Sequence, residues 1–190
     1  GNEDMITEVF EERFAMIYKA VREKHPEITV VGTVGPFYEG TDYAEGWRLA
    51  TELGVPMVDE HYYVDPGWMI HNQDYYDRYD RTKSKVYLGE YAAHLPGRPN
   101  NIETALAEAL YLTSVERNAD VVRLATYAPL FAHVDAWQWN PDLIWFDNLR
   151  MMRTPNYYVQ QMYGMNAGTD VLNLQMDGKP VTGQDSLYAS

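Results

Sequence analysis

The chain contains no cysteine in its 190 residues. This absence excludes disulfide bonds and thiolate zinc sites, although it says little about compartment. No run of lysine and arginine stands out, and the formal net charge is −13. Such an acidic chain would repel phosphate backbones, so no nucleic acid is expected as a partner.

The sequence also lacks an apolar run long enough to span a bilayer, a signal peptide and an N-glycosylation triplet. We therefore expect no membrane partner. The chain begins abruptly, so a targeting segment could precede it, and localisation stays open between periplasmic, secreted and cytoplasmic. Apolar residues make up 46% and aromatic residues 14% of the sequence. That composition is typical of a folded globular protein and not of a disordered chain.

The stretch 85–92, KVYLGEYA, ends a β-prone run in a glycine and a carboxylate. Valine, tyrosine and leucine suit a strand that is buried on both faces, as in a parallel sheet. Glu90 would then lie at the C-terminal end of the strand, which is the catalytic face in α/β barrels. Gly89 would let the backbone pack closely at that point. A solvated loop carboxylate is the alternative, because most glutamates are exposed.

Helix-like and strand-like segments alternate along the whole chain. Strands are predicted to begin near Ile28, Val55, Lys85 and Val121. Helices are predicted over residues 6–25, 42–53, 68–81 and 156–163. The helix over 42–53 is expected to end at Gly54. A further helix is expected to begin at a capping pair formed by Asn100 and Glu103. Such alternation calls for parallel βαβ units. Four strands are about half of an eight-stranded barrel. In the tail, Asp177-Gly178 indicates a hairpin turn.

Four short motifs follow one another: GNE at 1–3, DEHYY at 59–63, LGEYA at 88–92 and NPDLIWFD at 140–147. The first resembles the Asn-Glu motif at the end of the fourth strand of clan A retaining glycosidases. The third resembles the nucleophile motif at the end of the seventh strand. With the second and fourth motifs, the chain is similar to glycoside hydrolase family 51, the α-L-arabinofuranosidases.

This resemblance implies an α/β fold in which 1–168 is the second half of a (β/α)8 TIM barrel, strands 5–8 with their helices. Residues 169–190 would then begin a C-terminal β-rich domain that leads into a β-sandwich. The resemblance also implies that Glu90 is the nucleophile and Glu3 the general acid/base, with Asn2 binding the sugar 2-hydroxyl. No cofactor is implied.

The chemistry is consistent with this assignment. Retaining hydrolysis needs two carboxyl groups roughly 5 Å apart. Glu90 would form a glycosyl-enzyme ester, and Glu3 would protonate the leaving oxygen and later deprotonate the incoming water. Their separation along the chain is no obstacle, because successive βα repeats return each strand end to the same rim.

Further residues are candidates for substrate binding. The resemblance places His61 and Tyr63 along the sugar pocket, with the Tyr63 hydroxyl holding the nucleophile; a partly buried structural His and Tyr are the alternative. Trp139, with its neighbour Asn140, would bind substrate, although tryptophans such as this one could equally pack under the barrel rim. His94 stands where many family members have a bulky aromatic residue, which leaves subsite specificity open.

No metal is expected. Asp59, Glu60 and His61 have ligand side chains, but three successive residues of a strand point to alternate faces and cannot all bind one ion.

Two classes of function remain open. The first is an exo-acting retaining α-L-arabinofuranosidase that acts on arabinose-containing oligo- or polysaccharides. The second is a non-catalytic carbohydrate-binding relative, with another clan A activity such as β-xylosidase as a further alternative. The presence of both Glu3 and Glu90 favours an enzyme.

Both ends of the chain look cut, so we expect this fragment to be folded but inactive and its full-length parent to be active. The open barrel edge is expected to promote a homo-oligomer, such as a dimer.

Overall fold

The computed structural model describes residues 2–181 and 183–189; Gly1 of the first motif and Ser190 at the end of the predicted second domain lie outside this part. The helices are α1 (Glu8–Lys24), α2 (Thr41–Leu53), α3 (Pro66–His71), α4 (Ile102–Arg117) and α5 (Pro155–Met165). The strands are β1 (Val31–Thr33), β2 (Met57–Val64), β3 (Lys85–Ala93), β4 (Val122–Ala125), β5 (Phe131–His133), β6 (Ile144–Phe146), β7 (Met151–Arg153), β8 (Gln175–Met176) and β9 (Lys179–Pro180).

The chain folds into two compact units. The first contains the described residues up to 62 together with 80–89 and 120–125, and the second contains 63–79, 90–119 and the described residues from 126 onwards. The predicted boundary between 168 and 169 stays a prediction.

A four-stranded sheet with the order β1-β2-β3-β4 confirms the predicted α/β class. In the first unit β1 runs parallel to β2, with Gly32 opposite Val58, and β3 runs parallel to β4, with Val86 opposite Val122. Val58, Val86 and Leu88 are fully buried, as expected for strands covered on both faces. Completion of this sheet into half of a barrel stays a prediction.

Two helices of the first unit begin and end where the sequence predicts. The hydroxyl of Thr7 accepts a hydrogen bond from the Phe10 amide at 3.2 Å and caps α1. Gly54 ends α2 with φ 66°, in the left-handed conformation that glycine adopts without strain. The Tyr18 hydroxyl donates to the Gly54 carbonyl at 2.9 Å, so α1 is tied to the end of α2.

A buried carboxylate joins three elements of the second unit. Glu108 on α4 is 0% exposed. One of its oxygens accepts a hydrogen bond from the Ala93 amide at 3.0 Å, and the other accepts from Asn156 Nδ2 on α5 at 2.7 Å. Burial raises the pKa of Glu108 to about 7, against the opposing effect of these two donors. The C-terminal end of β3 is therefore anchored to two helices through a single side chain.

The predicted helix over 68–81 is wrong beyond residue 71. Helix α3 ends at His71, and Asn72 Nδ2 donates to the Trp68 carbonyl at 2.8 Å. Asparagine, aspartate and tyrosine are weak helix formers, and asparagine side chains compete with the backbone for hydrogen bonds. The tyrosines that follow, Tyr75 and Tyr76, pack edge-to-face at 5.1 Å instead.

The capping pair of α4 is also displaced by one residue. Asn101 and Thr104 form the capping box, whereas Asn100 hydrogen-bonds the Tyr127 hydroxyl at 3.0 Å and the Asp142 amide at 2.8 Å. Two adjacent asparagines compete for the cap, and tertiary partners of Asn100 decide between them.

A second, three-stranded sheet was not predicted. In it β5 is parallel to β6, and β6 is antiparallel to β7. Its strands have three residues each, too short for a period-2 pattern to be read from sequence. In the tail, β8 and β9 form the predicted hairpin across Asp177 and Gly178, both with positive φ. None of the helices in the described part of the chain is long and apolar enough to cross a bilayer.

Candidate functional site

Within the first unit, Glu3 contacts strand β2 at His61. The Glu3 carboxylate oxygen Oε1 is 3.0 Å from His61 Nδ1, and Asp59 Oδ2 is 3.0 Å from His61 Nε2. His61 is 3% exposed, whereas the Glu3 side chain is 33% exposed. The structure therefore brings together two residues that the sequence analysis proposed separately, Glu3 and His61.

Both ring nitrogens of His61 face a carboxylate, Nδ1 that of Glu3 and Nε2 that of Asp59. A neutral imidazole has a single N–H donor, so the tautomer decides which carboxylate accepts from it. Because both ring nitrogens are engaged, a metal could bind His61 only by displacing a carboxylate.

Alternation along β2 explains which acidic residue joins this cluster. Asp59 and His61 share one face of the strand, and Glu60 lies on the other. Glu60 is 0% exposed and accepts a hydrogen bond from Trp47 Nε1 at 3.1 Å. The sequence argument about alternate faces is thus confirmed, but the role of Asp59 as a partner of His61 was missed; its spacing of two residues from His61 was the available signal.

Gly89 fits closely against the same two side chains. A Cβ atom added at Gly89 would lie 2.0 Å from Asp59 Oδ1 and 3.1 Å from His61 Nε2. No side chain can occupy this position without moving the Asp59 carboxylate. The predicted close approach of backbone at Gly89 is confirmed.

In the second unit, Glu90 pairs with Tyr63. The Tyr63 hydroxyl donates a hydrogen bond to Glu90 Oε2 at 2.7 Å. This is the contact between tyrosine and nucleophile that the family resemblance implies. A phenol donor stabilises the ionised form of a carboxylate, which is the form that can attack an anomeric carbon.

An aromatic cluster adjoins this pair. The Tyr63 ring stacks on His94 with a centroid distance of 4.9 Å, and Trp139 lies 5.6 Å from Tyr63. Burial, and then the positive charge of Arg98, lowers the pKa of His94 to about 4, so this ring is neutral at physiological pH.

Asn2 and Asn140 are the remaining candidates for substrate binding. Asn2 is exposed in the turn beside Glu3. Asn140 Nδ2 donates to the Gly97 carbonyl at 3.2 Å, so its amide links two loops. Two tryptophans of the same segment, Trp137 and Trp145, pack edge-to-face at 5.9 Å.

In the second unit, a carboxylate that accepts from a tyrosine and lies beside stacked rings belongs to a parallel strand of an α/β protein, an arrangement that suits carbohydrate binding. Comparison with known proteins narrows this class. Residues 71–186 match the family model of the α-L-arabinofuranosidase C-terminal domain, and residues 1–81 match the α-L-arabinofuranosidase 1 domain. The chain belongs to the α-L-arabinofuranosidases of glycoside hydrolase family 51, as its motifs predict.

Individual relatives support this membership. The chain is 45% identical over 172 residues to an extracellular exo-α-L-arabinofuranosidase of Streptomyces chartreusis, covering 90% of this chain and 20% of that protein. It is 32% identical over 182 residues to a probable α-L-arabinofuranosidase A of Aspergillus flavus, covering 93% of this chain and 28% of that protein.

Among solved structures, an arabinose-bound α-L-arabinofuranosidase named MgGH51 matches 89% of this chain and 28% of its own, with a TM-score of 0.73 and 27% identity. An arabinose complex of the Thermotoga maritima α-L-arabinofuranosidase matches 83% of this chain and 36% of its own, with a TM-score of 0.58 and 16% identity, which shows likeness of fold alone. The chain spans 20% to 28% of the length of the two curated relatives above.

Proposed function

We propose that the complete natural protein that carries this chain is a retaining glycoside hydrolase. It releases terminal α-L-arabinofuranosyl residues from arabinose-containing oligo- or polysaccharides, and its parallel sheet forms the second half of a (β/α)8 barrel. Membership of the family supports this activity, and the observation that carries it is the 2.7 Å hydrogen bond from Tyr63 to Glu90 at the end of a buried parallel strand.

In the proposed mechanism Glu90 attacks the anomeric carbon while Glu3 protonates the leaving oxygen. The glycosyl-enzyme ester at Glu90 is then hydrolysed by a water molecule that Glu3 deprotonates. The hydrogen bond from Tyr63 orients the Glu90 carboxylate for this attack, and His61 contacts Glu3 at 3.0 Å and helps to position it. The resulting sugar keeps its α configuration.

We expect the 190 residues alone to be inactive or nearly so. Catalysis by a carboxyl group depends on a preorganised position. Glu3 lies in a turn and its side chain is one-third exposed, so water can compete with the contact that His61 makes with it. Release of 4-nitrophenol from an aryl α-L-arabinofuranoside by this chain, with loss of that activity in Glu90→Gln, would contradict this expectation.

The two carboxylates can be assigned in the complete protein with aryl α-L-arabinofuranosides. Glu90→Gln is expected to abolish turnover, because an amide cannot form the ester. Glu3→Ala is expected to lower kcat by about 10²- to 10⁴-fold, the usual contribution of a general acid/base, and azide should restore turnover with an α-configured glycosyl azide as product.

Glu103→Gln, an exposed carboxylate on α4, is the matched control and should leave kcat unchanged. Binding of arabino-oligosaccharides without turnover in the wild-type protein would instead indicate the non-catalytic relative. Turnover of β-xylosides in preference to arabinofuranosides would indicate the other clan A activity.

A further inference from the structure

An arginine covers the tryptophan of the aromatic cluster. The Arg98 guanidinium carbon Cζ lies 4.3 Å from the centre of the Trp139 ring. Trp139 is itself 5.6 Å from Tyr63, which donates to Glu90. Arg98 thus stands at the outer end of a continuous series of side chains that begins at the candidate nucleophile.

The loop that carries Arg98 holds it in a definite position. Arg98 has φ 51°, a left-handed conformation that is uncommon outside glycine. Its amide donates to the Leu95 carbonyl at 2.8 Å, and the preceding residue, Gly97, accepts a hydrogen bond from Asn140 at 3.2 Å. Non-glycine residues in this conformation occur preferentially at functional sites, where surrounding contacts maintain them.

The charge environment of Arg98 differs from that of three other arginines. Arg48 contacts three glutamates, Arg81 pairs with Asp120, and Arg117 pairs with Asp77. Among the side chains that the structure describes, which do not include those of residues 1, 182, 185 and 190, no carboxylate pairs with Arg98. In a chain with a net charge of −13, an anionic ligand would otherwise be repelled.

The chemistry of the Arg98–Trp139 pair suits a sugar that carries a carboxylate. A guanidinium that lies over an aromatic ring keeps the N–H donors in its own plane available, and their fork matches a carboxylate. Trp139 is 40% exposed, and the part of its ring that Arg98 leaves uncovered supplies an apolar surface against which a pyranose can pack. A neutral sugar would gain only the second of these contacts.

We propose that Arg98 determines specificity on the leaving-group side of the scissile bond, where it binds the carboxylate of a uronic acid that bears the arabinofuranosyl residue. This inference rests on the proposed function, since it assigns the leaving-group side of the same site. It predicts a preference for arabinose attached to acidic glycans over arabinose attached to neutral ones.

The test uses two substrates that differ in charge and hardly in shape, an α-L-arabinofuranosyl galacturonic acid methyl glycoside and its methyl ester. In the complete protein we expect kcat/KM to be about tenfold higher for the acid than for the ester, the factor typical of one partly exposed charge-assisted hydrogen bond. Raising the salt concentration should reduce this preference.

Arg98→Met should bring the acid-to-ester ratio to about one, and Arg98→Lys should retain part of the preference. Arg153→Met is the matched control, because Arg153 also lies over a ring, with Cζ 4.9 Å from the centre of Tyr157; it should leave the ratio at the wild-type value. An acid-to-ester ratio of one or less in the wild-type protein, a ratio insensitive to salt, or an unchanged ratio in Arg98→Met would overturn the inference.

Failure of the proposed function has a different signature. If the protein releases no arabinose from either substrate or from aryl arabinofuranosides, the hydrolase assignment itself is wrong, and the inference about Arg98 is wrong with it. If both substrates are cleaved with equal kcat/KM, the hydrolase assignment stands and only the role of Arg98 is refuted.

Discussion

At Gly89 a single hydrogen atom in place of a side chain sets how closely the backbone of β3 approaches Asp59. An added Cβ would lie 2.0 Å from Asp59 Oδ1, and the Asp59 carboxylate is held by His61 at 3.0 Å. Gly89→Ala therefore has to break the contact between Asp59 and His61. We expect a loss of about 1–3 kcal/mol in the free energy of unfolding, measured by urea denaturation of this chain.

Gly164→Ala is the matched control for this substitution. Gly164 lies in α5, and a Cβ added there meets no atom within 4 Å. Alanine is the better helix former, so the free energy of unfolding should stay unchanged or rise by up to about 1 kcal/mol. Equal effects of the two substitutions would show that Asp59 moves aside without cost.

At the scale of elements, Glu108 makes the contact between β3, α4 and α5 dependent on pH. Burial raises its pKa from 4.5 to about 7. Between pH 4.5 and about pH 7, the Glu108 carboxyl has lost its proton in the unfolded chain but keeps it in the folded chain. The free energy of unfolding therefore falls as the pH rises. The contribution of protonated Glu108 to the free energy of unfolding is about 3 kcal/mol. It is fully present below about pH 4.5 and is lost above about pH 7.

Glu108→Gln cannot titrate and should remove this dependence. The measurement is the free energy of unfolding of both proteins at several pH values from 4.5 to 7.5, with the wild-type value minus the variant value falling by up to about 3 kcal/mol over that range. Burial also raises the pKa of Asp142 to about 6, but this group titrates in both proteins and cancels in the difference. A difference that does not vary with pH would show that the folded chain leaves Glu108 at its ordinary pKa.

At the scale of the whole molecule, two edges and a large net charge act in opposite directions. Within the described residues, β1 and β4 stand at the ends of the four-stranded order, and an edge strand with free backbone groups can pair with a second chain. The net charge of −13 opposes that association. We expect a homo-oligomer, such as a dimer, whose population rises with ionic strength as repulsion is screened.

Light scattering of this chain at several protein and salt concentrations measures the association directly. A molar mass equal to that of the monomer at all concentrations, including high salt, would show that the edges do not pair.

The fold could be predicted from the sequence to the extent that its signals are local. Gly54 ends α2 as expected, because the left-handed C-cap depends on one residue, and α1 ends before Pro26 for the same kind of reason. The cap of α4 could not be assigned between Asn100 and Asn101, because the choice depends on Tyr127 and Asp142, far along the chain.

The candidate site follows the same division. Glu90, Tyr63, Glu3 and His61 were named from their motifs, and their contacts lie within two compact units of the structure. Glu108 and Arg98 were missed, since each depends on neighbours 15 or more positions away, such as Ala93 and Trp139.

The sequence by itself determined the alternation of helices with the four strands of the first sheet, the carboxylates of the candidate site and the family to which the chain belongs. Hydrophobic periodicity, chain-breaking residues and short motifs are properties of neighbouring positions, so they can be read without coordinates. Only the tertiary structure decided that His61 lies between two carboxylates and that Glu108 is buried. Each of these depends on the distance between side chains that folding brings together, and on the water that folding removes from around them.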